Sequence, residues 1–351
     1  MTLAARLPTS ERMGTGHLHI NLGAIVENWR ALDRLSAGET AAVVKADGYG
    51  MGSARVARAL AAAGVRRFFV AVAEEGASLR ATLGPDVEIN VFSGHMAGDT
   101  RRLSDLGLIP MLNSPEQIAR HTAELPDHPF GLQLDTGMNR LGLETYDWST
   151  DLAAGATLIL SHLACADDPD HPANAAQLAA FLDMTAGIPI PRSLAATGGT
   201  LLGPDYHFDL TRPGVGLYGG APFADAQPVA TLDLPIIQTR RLRAGESVGY
   251  GCTFTAEKDT VIATVSGGYA DGLIRAMSGR GTLYAGDTPC PIAGRVSMDL
   301  ISVDVTDLDA IPDHLTILGP HQTVDQLADA CGTIGYEILT GLGARYARTY
   351  S

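Results

Sequence analysis

The chain has 351 residues, 46% of them hydrophobic and 18% charged, with a net charge of −14; the length suits two domains and the composition is that of a globular protein. The acidic balance and the lack of a basic stripe argue against nucleic acid and anionic membranes as partners, and no apolar run is long enough to span a bilayer. Residues 1–16 carry Arg6, Glu11 and Arg12 without an apolar stretch, and Cys165, Cys252, Cys290 and Cys331 lack zinc-like spacing, so no secretory signal and no metal site are expected, and the cytoplasm is the expected compartment.

In chain order, residues 17–20 read as a strand and 22–34 as a helix with apolar residues at helical spacing. Residues 41–45 form the next strand, followed by a helix over 54–63 that Ser53 can cap and Gly64 can end. Apolar runs at 68–72, 87–92, 108–112, 130–135 and 157–162, with a weaker one near Leu194, alternate with helical stretches such as 74–82, 115–125 and 174–186. Near-continuous apolar strands separated by helices imply a parallel sheet covered on both faces. The count of such units predicts an N-terminal (β/α)8 TIM-like barrel over residues 14–228, with an open doubly wound sheet as the alternative. After Pro228 the pattern changes to β-like runs at 232–238, 261–265, 281–284, 289–292, 300–305 and 315–318, and helical pattern returns only at 323–330 and 334–342. A mostly-β domain over 229–351 follows, giving the fold class α/β plus all-β.

The chain has only two lysines, Lys45 and Lys258, beside twenty-three arginines. Arginine stays protonated, whereas a desolvated lysine amine can act as nucleophile or base. Lys45 closes the apolar run 41–44, where a barrel strand would open into its catalytic face. The competing reading is a lysine lying along apolar surface with its amine in water. Other polar residues fall at strand ends: Tyr49, Gln133, Arg140, His162, Thr197 and Arg212. Thr197-Gly198-Gly199 and Gly214-Val215 can offer hydroxyl and amide donors to a phosphate. A phosphate site together with a lysine able to form a Schiff base points to pyridoxal 5'-phosphate (PLP). A Schiff-base aldolase barrel is the competitor, and it would need no second domain.

The segment Val43-Val44-Lys45-Ala46-Asp47-Gly48-Tyr49-Gly50 resembles the PLP-lysine motif of bacterial alanine racemases, and six further segments follow in that family's order. They are 134–142, 161–164, 212–219, 248–251, 268–272 and 294–299, so the resemblance runs nearly end to end. It implies that Lys45 carries PLP and is one base, and that Tyr250 from the second subunit of a homodimer is the other. It further implies that Arg212 faces the pyridine nitrogen with His162 in support, and that Tyr49, Thr197, Gly214, Val215 and Tyr350 hold the phosphate. Arg140 and the partner's Met298 amide would receive the carboxylate of alanine, with Gln133, Tyr269, Arg275, Arg295 and Asp299 supporting or lining the entrance. The activity implied is the interconversion of L- and D-alanine, supplying D-alanine for peptidoglycan.

The residue types suit that chemistry. Racemisation removes a proton from one face of a planar centre and returns one to the other, which two different bases accomplish. A phenol must be stabilised as phenolate to act as a base near neutrality, and Arg275, Arg295 and His162 are the candidate sources. A guanidinium facing the ring nitrogen has no acceptor and keeps that nitrogen unprotonated. Gln133 stands where many members have a carbamylated lysine that orients Arg140, and its amide is expected to make that contact instead. Met51, Ser297, Thr197 and Ala347 are further departures, standing for His, Cys, Ser and Pro. A barrel-type PLP decarboxylase would carry a carboxylate where Arg212 stands. A PLP-binding regulatory protein would lack the second domain, and broad-specificity racemases are usually exported.

Overall fold

A computed structural model describes residues 15–351 of the chain; the N-terminal segment that underlies the expected lack of a secretory signal lies mostly outside the described residues. The described residues divide into two contact units, Asn21–Val229 and residues 15–20 together with Ala230–Ser351.

In the first unit, seven strands pair side by side, all parallel: Ala42–Val43, Arg67–Val70, Glu88–Val91, Ile109–Leu112, Phe130–Gln133, Ala156–Leu160 and Arg192–Ser193. An eighth segment closes the ring. Leu210–Thr211 pairs parallel with Glu39–Thr40, and on its other side Asp209 N donates to Arg192 O (3.0 Å) and Arg212 N to Ala195 O (2.8 Å). Helices such as Ser53–Ala63, Ala73–Leu83, Pro115–Glu124 and Pro172–Met184 fall between the strands. Phe68, Phe69, Ile89 and Val91 are fully buried, which explains continuous apolar runs in place of a period-two alternation.

The strand set differs from the sequence expectation at one place. His17–Ile20 is not a barrel strand: it pairs antiparallel with Ala230–Leu242 and parallel with Ala347–Tyr350, inside the second unit. Its composition carries the reason, because Leu18 and Ile20 are buried while His17 and His19 are not. That alternation suits a sheet with one covered face. The eighth barrel strand is residues 209–213; its polar Asp209, Thr211 and Arg212 leave only the short run 208–210, ahead of the strand-end Arg212, to mark it in the sequence.

The second unit is a sheet in the order Thr288–Pro291, Thr282–Ala285, His314–Leu318, Ala230–Leu242, His17–Ile20, Ala347–Tyr350. The far half of the 13-residue strand Ala230–Leu242 pairs with Thr260–Ser266, which in turn pairs with Leu300–Asp304. Helix Val324–Cys331 opens on a capping box between Thr323 and Gln326. Among the described residues no helix is long and apolar enough to cross a membrane.

Candidate active site

The strand over residues 39–44 ends in Lys45, and the backbone then turns the wrong way for L-residues. Ala46, Asp47, Gly48 and Tyr49 all have φ between 52° and 62°, a left-handed turn that costs about 1–2 kcal/mol per non-glycine residue. Specific contacts hold it. Glu75 accepts from Ala46 N through Oε1 (2.7 Å) and from Ala71 N through Oε2 (2.8 Å), and Asp47 Oδ1 accepts from Ser53 N (2.8 Å). The turn thereby aims Lys45 at the barrel mouth, with Nζ 5.8 Å from the Phe92 ring centre. Burial lowers the Lys45 pKa, Arg140 lowers it further, Glu75 opposes, and Arg212 adds to the lowering. A neutral amine is the form that can attack or accept a proton.

Arg212 is 2% exposed and has no carboxylate partner among the described residues. Its Nη2 donates to Ser161 O (2.7 Å) and its Nη1 to Ser193 Oγ, while its remaining N–H groups reach no acceptor among the described residues. Burial lowers its pKa to about 9, which leaves it charged at neutral pH. His162 stands beside it with a partly accessible edge; burial, then Arg212, Arg140 and Lys45, push its pKa down to about 3. The ring is therefore a neutral hydrogen-bonding group.

An anion cradle forms beside these groups. Thr197 Oγ1 accepts from Gly214 N (3.1 Å) and Gly216 N (3.2 Å), so the Gly214 amide is spent inside the protein. What the Thr197 hydroxyl retains is its own O–H proton to donate. The buried Val215 amide donates to no group among the described residues. Tyr49 stacks on Tyr218 with ring centres 4.6 Å apart, and Tyr218 is anchored by its hydroxyl to Val43 O (3.1 Å). A Cβ on Gly214 would overlap Tyr49 Oη, so only glycine lets that loop approach so closely. An unspent buried amide, directed hydroxyls and a buried guanidinium fit a phosphorylated ring with an acceptor nitrogen, as PLP has.

Arg140 is exposed and makes no hydrogen bond or ion pair among the described residues. Its loop is ordered by Asp135 Oδ1, which accepts from the amides of Gly137, Met138 and Asn139. The expected contact from Gln133 to Arg140 is not made: Gln133 Nε2 donates to Leu141 O (3.1 Å). A neutral amide next to a chain carbonyl fixes the loop, whereas a carbamate would be drawn to the guanidinium itself.

The remaining residues lie in the second unit. Tyr250 is 72% exposed, in the turn Tyr250–Cys252. The Arg295 guanidinium lies against the neighbouring Gly251, where a Cβ would be 3.1 Å from its Nη1. Arg275 begins the short turn Arg275–Met277. Tyr269 N and Ala270 N donate to Ser297 O and Met298 O (3.0 Å each), leaving the exposed Met298 amide without an acceptor among the described residues. Asp299 pairs with Arg345 (2.8 Å). Tyr350 lies at the end of Ala347–Tyr350, in register with Ile20. Sequence reading missed Glu75, Ser161, Ser193 and Asp271 and gave Arg345 no role. Ser161 and Asp271 lie in the motif segments 161–164 and 268–272, and Glu75 left a signal as an acid in the first turn of the helix after a strand.

A family model described as alanine racemase, N-terminal domain, matches residues 20–222, and one described as alanine racemase, C-terminal domain, matches residues 229–350. The chain is 65% identical over 338 residues to an alanine racemase of Jannaschia sp. (strain CCS1), covering 96% of this chain and 99% of that protein. It is 63% identical over 345 residues to one of Dinoroseobacter shibae, covering 97% and 99%. Among solved structures, alanine racemase from Bartonella henselae with covalently bound pyridoxal phosphate is similar with a TM-score of 0.92 at 39% identity, over 96% of this chain and 99% of that one. The biosynthetic alanine racemase from Pseudomonas aeruginosa gives 0.90 at 36% identity, over 97% and 100%.

Proposed function

The chain belongs to the alanine racemase family and is a PLP-dependent enzyme that interconverts L- and D-alanine; we propose that Lys45 and Tyr250 are its two bases, with Tyr250 supplied by the partner in a homodimer. The observation that carries this reading is the cluster at the barrel mouth: a lysine of lowered pKa near a buried guanidinium that no carboxylate among the described residues neutralises. Bound PLP supplies the electron sink that makes the α-proton of an attached amino acid acidic.

Lys45 would hold the cofactor, and its amine would take or return the α-proton on one face of the substrate. Tyr250 would do the same on the opposite face; it precedes Gly251, on which the Arg295 guanidinium packs. Arg212, a donor without acceptor capacity, would pair with the cofactor's ring nitrogen, which would disfavour protonation there and favour return of the proton to Cα over side reactions. Neutral His162 supports it. Thr197, Tyr49, Val215 and Tyr350 hold the phosphate, the Gly214 amide acting through Thr197. Arg140 and the Met298 amide bind the carboxylate, and Tyr269, Arg275 and Asp299 line and order the entrance. The exposure of Tyr250, Tyr269, Met298 and Leu300 on the second unit supports a surface that a second copy covers.

We place the enzyme in the cytoplasm, providing D-alanine for peptidoglycan, which rescue of a D-alanine auxotroph tests. Incubation with L-alanine in deuterated water should give α-deuterated alanine of both hands; an amine product would mean decarboxylation. Borohydride should fix the cofactor on Lys45. Mixing Lys45→Ala with Tyr250→Ala subunits should restore activity that neither has alone, and failure to do so would refute the shared site.

A further inference from the structure

Tyr269 and Met298 stand on short, solvent-facing turns, with 43% and 53% exposure, yet both must be held to a fraction of an ångström to act on a substrate. Hydrogen bonds between the two turns join Tyr269 N to Ser297 O and Ala270 N to Met298 O. Gly268 permits this, since a Cβ there would fall well inside 3.0 Å of the Ser297 and Met298 carbonyl oxygens. Towards Asp299 the backbone adds one further bond, from Gly267 N to Asp299 O, and the Asp299 carboxylate is left to a side-chain partner.

One side chain completes the assembly. Arg345 makes a two-pronged contact with Asp271, Nε to Oδ1 at 2.6 Å and Nη2 to Oδ2 at 2.8 Å, and its Nη1 reaches Asp299 Oδ1 at 2.8 Å. Asp271 is 5% exposed and also accepts from Gly268 N (3.0 Å). Its main-chain oxygen takes the Gly343 amide (3.0 Å), while Gly267 N donates to Asp299 O (2.9 Å). A planar guanidinium is the group that can bridge two carboxylates in fixed directions, which an ammonium cannot do. The residues on both sides of the Met298 amide are thereby tied down, and that N–H is left unspent.

We propose that Arg345 is a positioning residue for substrate-carboxylate recognition, clamping the turns 268–272 and 297–299 so that the Met298 amide points at the carboxylate. The inference rests on the reading that this amide receives the carboxylate. It separates Arg345 from residues that only stabilise the fold, because its loss should weaken ligands that carry a carboxylate and spare those that lack one.

The test uses PLP-loaded Arg345→Lys and Arg345→Met enzymes, with Asp299→Asn as a variant that leaves the Asp271 contact in place. Two ligands serve as probes: propionate, a carboxylate without an amine, and ethylamine, an amine without a carboxylate, followed by the absorbance of the bound cofactor. The expected result is a rise of about tenfold in both the KM for alanine and the inhibition constant of propionate, the scale of one weakened hydrogen bond to a charged group. Ethylamine binding should be unchanged, and kcat should fall much less than KM rises. Asp299→Asn should show the same selectivity to a smaller degree. Equal loss for propionate and ethylamine, or a lowered Tm with KM and propionate inhibition intact, would overturn the proposal. If propionate fails to compete with alanine in the parent enzyme, the carboxylate reading itself falls and takes this one with it; competition in the parent that Arg345 variants leave unaltered sinks the Arg345 role alone.

Discussion

Replacing Gly214 by alanine should selectively damage cofactor binding. The added carbon would stand about 1 Å inside the 3.4 Å limit of ordinary contact with Tyr49 Oη, and 3.2 Å from Tyr49 Cζ. Tyr49 is buried and stacked at 4.6 Å on Tyr218, which is tied to Val43 O, so its ring cannot step aside freely. Its hydroxyl, proposed above to hold the phosphate, would have to swing away. Losing one hydrogen bond to a charged group costs about 1.5–3 kcal/mol, which corresponds to a rise of roughly ten- to a hundredfold in the PLP Kd. Titration of cofactor-free protein with PLP, followed by absorbance or by quenching of protein fluorescence, measures it directly. In a Tyr49→Phe background the clashing oxygen is gone, so Gly214→Ala should then add little further loss, a coupling read from the double-mutant cycle. If Gly214→Ala costs as much with phenylalanine at 49 as with tyrosine, or leaves PLP affinity unchanged, the proposed geometry of the cradle is wrong.

Glu75→Ala removes the acceptor of both Ala46 N and Ala71 N; the left-handed turn should loosen, with activity falling by at least tenfold and a lower Tm, and an unaltered rate would show that the turn needs no such support. Gln133→Ala should free the Leu141 carbonyl and raise the KM for alanine several-fold with a smaller change in kcat, because Arg140 follows its loop; an equal drop in kcat would point to a different role. The folded-state pKa of His162 lies near 3, below its ordinary value of 6.5, so its neutral form is the one that folding favours. The associated stability is full above pH 6.5 and is lost as pH falls from there towards 3. His162→Gln, which cannot protonate, should lose Tm less steeply over that window; His95 and His121, also lowered mainly by burial, act in the same direction in both proteins and cancel in the comparison. Parallel curves would refute the assignment.

Much of this protein can be read along the chain. The alternation of apolar runs and helices specifies a parallel sheet covered on both faces, because such strands must be apolar throughout, and the number of units favours a barrel over an open sheet. The change after Pro228 marks the β region, and the scarcity of lysine singles out Lys45, whose chemistry no arginine can replace. The resemblance of ordered motifs to a known family then points to Tyr250, Arg212 and Arg140 as candidates.

Partnership across the chain is what tertiary structure alone decided. His17–Ile20 joined the β sheet because its edges match Ala230–Leu242 and Ala347–Tyr350, and the polar segment 209–213 closed the barrel through main-chain hydrogen bonds that side-chain pattern does not encode. Glu75 holds an amide 29 residues away, Arg212 a carbonyl 51 residues away, and Arg345 a carboxylate 74 residues away. No period or motif links such positions. A hydrogen bond acts only within about 3 Å, and which groups come that close is fixed when the strands and loops pack.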